Sequence, residues 1–247
     1  MLATDQLSFR FGAPVPPPRA AQLSRPSLLS HLRQRLRTVY GRQRHLPPTD
    51  PIDQLVGSII ASRTREEIAF PTFKRLWHHF KSWDAVSRAP VAEIERILRP
   101  VTHAERKAEQ VPAALRAIVA RTGRLDLAFL ADWPESAAMA WLMTLPGAGP
   151  KVAAATLNFS TLRKRVLAVD TRLLRLGKRL GLLPETADYG RGHDILMRLA
   201  PDDWDADEFV EFHWLTKLHG QRVCFTEQPA CFRCPIRDLC TRGVPRH

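Results

Sequence analysis

From residue 27 onward, apolar positions recur at the three- and four-residue spacing of amphipathic helices. Leu28, Leu29, Leu32, Leu36, Val39 and Tyr40 line one such face, with Ser27 as its candidate N-cap. Pro47-Pro48-Thr49-Asp50-Pro51 breaks the chain, and Asp50 and Pro51 suit the cap and first position of a new helix through about Ser62. The same period predicts helices over roughly 66–80, 91–98, 104–122, 134–145, 150–160, 171–181, 191–200 and 205–219. No alternating pattern around an Asn-Gly or Asp-Gly turn signals a hairpin, and no repeat of fixed period is present. The chain reads as all-α. Residues 1–25 differ: four of the five residues from Pro14 to Pro18 are proline, so this part reads as a disordered tail.

A length of 247 residues allows one large domain or two small lobes. Apolar residues make up 45% and charged residues 25%, ordinary values for a globular protein. No apolar run approaches the ~20 residues a membrane span needs. The start of the chain has no basic stretch leading into an apolar one, so a cytoplasmic protein is expected. Charge changes the picture more. The 37 Lys and Arg against 25 Asp and Glu leave a net charge of +12, which favours a polyanionic partner such as nucleic acid, with an anionic membrane surface as the rival. The basic residues are uneven. Arg33, Arg35, Arg37, Arg42 and Arg44 share the first helical segment without an acid. Arg163, Lys164, Arg165, Arg172, Arg175, Lys178 and Arg179 form a stripe broken only by Asp170. Residues 202–211 hold the opposing acids Asp202, Asp203, Asp205, Asp207, Glu208 and Glu211.

Four cysteines form one compact pattern, Cys224-x6-Cys231-x2-Cys234-x5-Cys240. Clustered thiolates suit zinc or an iron–sulfur cluster better than a disulfide framework. A structural zinc site more often pairs two Cys-x2-Cys knuckles across a long loop, so one short segment with a single knuckle favours a 4Fe-4S cluster.

Leu145-Pro146-Gly147-Ala148-Gly149-Pro150-Lys151 lies between two helical patterns and reads as a helix–hairpin–helix. Gly147 and Gly149 would free the backbone for a tight turn and leave bare amides for a phosphate, at the positive end of the next helix. A plain helix–helix turn is the bland alternative. Lys151 falls in the first turn of that helix, where the dipole disfavours an ammonium; the amine could be a nucleophile, or a surface lysine gripping phosphate. Asp170 reads most simply as an N-cap, yet an acid within a basic stripe would also suit a cationic, oxocarbenium-like centre.

Taken together, Leu-Pro-Gly-x-Gly-x-Lys, Val-Asp-Thr nineteen residues beyond the lysine, and the cysteine loop resemble the endonuclease III family of DNA glycosylases, from about Leu28 to Cys240. The resemblance implies a two-lobed helix-hairpin-helix glycosylase fold. Residues 50–163 would form a six-helix barrel, and 26–49 with 164–247 a lobe holding the 4Fe-4S cluster through Cys224, Cys231, Cys234 and Cys240. It also implies a monomer that binds double-stranded DNA and removes damaged, oxidised bases. Lys151 would attack C1′ and form a Schiff base, Asp170 would assist, and Gly147 and Gly149 would hold a phosphate. Three positions depart from the family pattern. Arg63 stands where glutamine is usual. His103 lies near the place of a wedge leucine, the Gly-Leu-Tyr of that loop being absent. Arg172 follows Val-Asp-Thr where histidine is common. All three are expected to face DNA. A monofunctional glycosylase for mispaired or alkylated bases and a non-catalytic lesion-sensing protein are the alternatives, and both leave Lys151 without a reason.

Overall fold

The computed structural model describes residues 25–43 and 48–241. The proline-rich tail, Arg44, Pro47 and Arg242 lie outside the described residues. Helix α1 spans Arg25–Tyr40, α2 Pro51–Ala61, α3 Glu66–Phe80, α4 Trp83–Arg88, α5 Val91–Leu98 and α6 Ala104–Thr122. After a 3-10 turn at Ala128–Asp132 come α7 (Glu135–Met143), α8 (Pro150–Phe159), α9 (Thr171–Arg179), α10 (Tyr189–Leu199) and α11 (Ala206–Arg222). Two more 3-10 turns, Cys231–Arg233 and Arg237–Leu239, complete the cysteine segment. Among the described residues no strand is formed.

Two buried clusters organise these helices. Ile52, Leu55 and Ile59 of α2, Ile94 and Leu98 of α5, Val111, Leu115 and Ile118 of α6, Leu142 of α7 and Leu157 of α8 share the first. Leu29, Leu32 and Leu36 of α1 join Leu173 and Leu176 of α9, Leu196 of α10 and Phe209, Phe212 and Leu215 of α11 in the second. Helix α8 is buried from Val152 to Asn158. Its Ala153-Ala154-Ala155 run carries little side-chain bulk, which lets the neighbouring helices approach closely. Between the cores, Asn158 Nδ2 donates to Ala206 O at 3.1 Å, fastening the end of α8 to the start of α11.

Helix starts follow capping chemistry. Asp50 accepts from the Ile52 amide at 2.7 Å with Pro51 opening α2. Asp205 and Glu208 form a reciprocal capping box at α11. Two starts depart from expectation. Helix α1 already includes Arg25, so Ser27 lies within the helix and not at its N-cap position. Helix α4 escaped the periodicity because six residues are too few to show one; Ser82 caps it, and Trp83 is buried on the first core.

The charge pattern resolves largely inside the protein. The basic face of α1 docks on the acids: Arg33 reaches Glu211 and Glu208, Arg37 reaches Glu211, and Arg35 grips Asp238. The stripe from Arg163 to Arg179 is likewise mostly occupied by contacts within the protein. Arg163 pairs with Asp207. Lys164 donates to Trp133 O, and Arg165 to Trp204 O and Pro201 O. Arg175 donates to Gly220 O and Cys224 O, and Arg179 to Phe225 O and Thr226 O. These residues are structural straps between segments far apart in sequence.

Candidate functional site

The hairpin between α7 and α8 is built on its glycines, in different ways. Gly147 has φ of +79°, and a side chain there would also press on Gln110 at 3.1 Å. Gly149 is extended, and a Cβ built on it meets nothing within 4 Å. Its backbone therefore borders open space, with no side chain capping α8. The first-turn amides of α8 are available to an anion, and the helix dipole points the same way.

Lys151 sits at the second position of α8 and is partly buried. Burial pushes its ammonium below the ordinary lysine value; Lys217 of α11 adds to this, while Asp170 and Glu66 oppose it. Asp170 caps α9. Its Oδ1 accepts from the Arg172 and Leu173 amides at 3.0 and 2.8 Å, and Oδ2 accepts from Arg172 Nη1 at 3.3 Å. Burial by itself would raise the carboxyl, but the facing His213, the Leu173 amide, Arg172 and Lys151 outweigh it and hold Asp170 below the usual carboxylate range. Lys151 and Asp170 thus stand close enough to stabilise each other's charge. Arg172 lies half-buried with its stem against Gly220, and its guanidinium bonds to Asp170.

Sequence reasoning missed two partners of this pair. His213 is buried, donates from Nδ1 to Ala168 O at 2.7 Å, and is pushed down to about 4 by burial against the opposing pull of Asp170. Lys217 spans from the second core to the first, bonding Glu66 at 2.6 Å and lying 3.9 Å from the centre of the Trp214 ring. Only the one-turn spacing of His213 and Lys217 on α11 could have flagged them, and a core helix gives the same pattern.

Arg63 and His103 are exposed, and both adopt left-handed backbone, with φ of 55° and 58°. Arg63 lies in the turn after α2; His103 opens α6. Their loops touch through Thr64 Oγ1, which accepts from the Thr102 amide at 3.1 Å.

The four cysteines are free thiols around one pocket, shared with Leu176, His219, Val223, Pro229 and Ile236. Among the described residues, no three His, Cys, Asp or Glu side chains converge tightly enough for a single metal ion. All four cysteines line the same pocket. Arg179 Nη1 donates to Cys224 Sγ at 3.1 Å, and His219 Nε2 lies 3.7 Å from Cys234 Sγ. The His219 ring is held in turn by Tyr40 Oη at 2.9 Å from Nδ1. Burial, with Cys224, Cys240 and Cys231 crowding it, pushes the Cys234 thiol up to about 11. Bound iron would relieve that crowding by drawing the thiolate form.

Comparison with known proteins finds relatives in both sequence and fold. The model of the HhH-GPD superfamily base excision DNA repair protein matches residues 56–201. Endonuclease III of Thermotoga maritima is 27% identical over 195 residues, covering 78% of this chain and 83% of that protein. Endonuclease III-like protein 1 of Gallus gallus is 26% identical over 187 residues, covering 75% and 62%. Among solved structures, a non-covalent endonuclease III–DNA complex superposes with a TM-score of 0.73 at 22% identity, covering 90% of this chain and 97% of that one. A thermostable thymine-DNA glycosylase gives 0.71 at 20% identity, covering 91% and 98%. The chain belongs to the HhH-GPD superfamily of base excision DNA repair proteins, and within it to the endonuclease III family. It is a base-excision-repair DNA glycosylase by membership. No helix among the described residues is long and apolar enough to cross a membrane.

Proposed function

We propose that the protein is a bifunctional glycosylase and abasic-site lyase acting on damaged, oxidised bases in duplex DNA, with Lys151 as nucleophile and Asp170 as its charged partner. The observation that carries this reading is the placement of a partly buried lysine in the first turn of α8 against the carboxylate that caps α9, with burial lowering the lysine and the cap bonds favouring the ionised carboxylate. The target nucleotide must leave the stack, because C1′ within a duplex is out of reach. The Lys151 amine then bonds to C1′ as the glycosidic bond breaks, and the base departs with the bonding pair and gains a proton. Opening of the sugar ring gives the imine. Loss of a C2′ proton expels the 3′ phosphate and cuts the strand. The amine gives up protons along the way, so its neutral form is the reactive one.

Asp170 spends one oxygen on the α9 cap and the other on Arg172. A carboxylate so held is a poor proton shuttle and a good stabiliser of positive charge developing at C1′. Arg172 reads as the strap that orients Asp170. Phosphate binding falls to the hairpin around Gly147 and Gly149, with Arg63 and His103 on the face where bases are probed. Cys224, Cys231, Cys234 and Cys240 would hold a 4Fe-4S cluster, which organises the C-terminal segment and takes no part in the bond changes. Freshly isolated protein is then expected to be yellow-brown with broad absorbance near ~400 nm, and stoichiometric zinc in place of iron would contradict the assignment.

The test of the reaction is borohydride trapping on a duplex with one abasic site, read against pH. Lys217→Met removes a cation that lowers the Lys151 pKa and frees Glu66, which raises it, so both changes favour the ammonium. The rising limb of the trapping rate is expected to move to higher pH in that variant. A limb that stays put or moves down would separate Lys217 from the nucleophile.

A further inference from the structure

Lys107 is an ionisable side chain that the reaction above does not use, and it is 4% exposed. It projects from α6 toward the end of α2 and the turn beyond. Its Nζ donates to Ile60 O at 2.8 Å, to Ser62 O at 2.7 Å and to Thr64 Oγ1 at 3.0 Å. An ammonium has three donors, and all three are matched. Burying such a charge is costly, so the site persists only because its acceptors are complete. Those acceptors are groups of the turn that carries Arg63. On the far side, Thr64 Oγ1 also accepts the amide of Thr102, the residue before His103. The Lys107 amide in turn donates to His103 O at 3.1 Å. One residue therefore ties both loops together, by its side chain to one and its backbone to the other.

The tips of those loops, Arg63 and His103, are exposed and held in left-handed backbone, a conformation unfavourable for a residue with a side chain. Strain of this kind survives only where the surroundings over-determine it. Loops left to themselves would relax, and Arg63 and His103 would sample many directions independently.

We infer that Lys107 is a positioning residue that locks the Arg63 and His103 loops into one rigid, two-pronged probe of the base pair at the lesion. The inference rests on the glycosylase reading, since it supposes DNA against this face. Lys107 touches no nucleotide. It acts through the loops, whose direction is set before DNA arrives, so the entropy of ordering two long side chains is not lost at the moment of base extrusion.

The experiment uses the full-length protein and a duplex with a single tetrahydrofuran abasic analogue opposite 2-aminopurine, whose fluorescence rises on unstacking. Lys107→Met keeps the length and apolar stem of the side chain and removes its donors. Thr64→Val breaks the same hub from the other side with almost no change in shape, and covers the case in which loss of Lys107 impairs folding. Wild-type protein at saturation is expected to raise the fluorescence. Both variants are expected to lose most of that rise while Kd changes by less than about threefold, because phosphate contacts elsewhere supply most of the affinity. Cleavage of a natural abasic site should stay within about twofold, since no base needs extruding there. Full fluorescence gain in either folded variant, or equal loss of fluorescence, affinity and cleavage in Thr64→Val, overturns the inference. So does a wild-type protein that binds without any fluorescence rise. Absence of DNA binding by the wild type would instead overturn the glycosylase reading itself.

Discussion

Lys151→Ala is expected to abolish borohydride trapping and strand cutting while leaving the fold and most DNA affinity in place. The side chain lies at the second position of α8, where alanine is a good helix former and no capping bond is lost. Its removal takes away one cation, so affinity should fall evenly and the salt slope should drop by about one if it grips a phosphate. Covalent chemistry behaves differently. Among the described residues no other amine near the hairpin combines a helix N-terminal position, burial and a facing carboxylate, so the imine should not form. Trapped product should fall below detection, whereas a phosphate-gripping lysine would leave a weaker but complete reaction. Gel-resolved adduct and nicked strand, measured at saturating protein, separate the two results.

Asp170→Asn is the second large effect. Asparagine caps a helix about as well as aspartate, and its side-chain oxygen can accept the Arg172 and Leu173 amides as Oδ1 does now. Helix α9 should therefore form, and the cysteine segment strapped to it by Arg175 and Arg179 should keep its place. What disappears is the negative charge beside Lys151. Single-turnover base excision is expected to fall by about 10²–10³-fold, the size of effect seen when one preorganised electrostatic group is removed. A linked change follows in stability. The Asp170 carboxyl is held below its unfolded value, so its contribution is present above the unfolded pKa and lost as pH falls through the folded one. The Asn variant should lack that part of the acid transition. Normal excision by a folded Asp170→Asn protein would reduce Asp170 to a cap.

The helices, the hairpin and the cysteine segment were legible because each depends on residues near one another in sequence. Asp50-Pro51 starts α2, Gly147 takes the positive φ, and four thiols within one short segment end up around one pocket. The partners of the basic stripe were not legible, for the opposite reason. Arg165 finds Pro201 O and Trp204 O, and Arg175 finds Cys224 O, partners some tens of residues away. Charge along the chain says nothing of such acceptors. Lys107 shows the same limit more sharply. Its three acceptors, two of them backbone carbonyls, lie more than forty residues upstream, and nothing in the local pattern distinguishes it from a surface lysine. His213 beside Asp170 was hidden in the same way, because its partner carbonyl belongs to Ala168 on another segment.

The central claim is that Lys151 forms the covalent bond to the sugar, and peptide mapping of the trapped complex tests it most directly. Wild-type protein is reduced with borohydride on an abasic duplex, digested, and the modified peptide located by mass spectrometry. The predicted result is a single adduct on Lys151, within the segment that joins the hairpin to α8. An adduct on any other amine, or cutting of the strand with no adduct at all, would contradict the account.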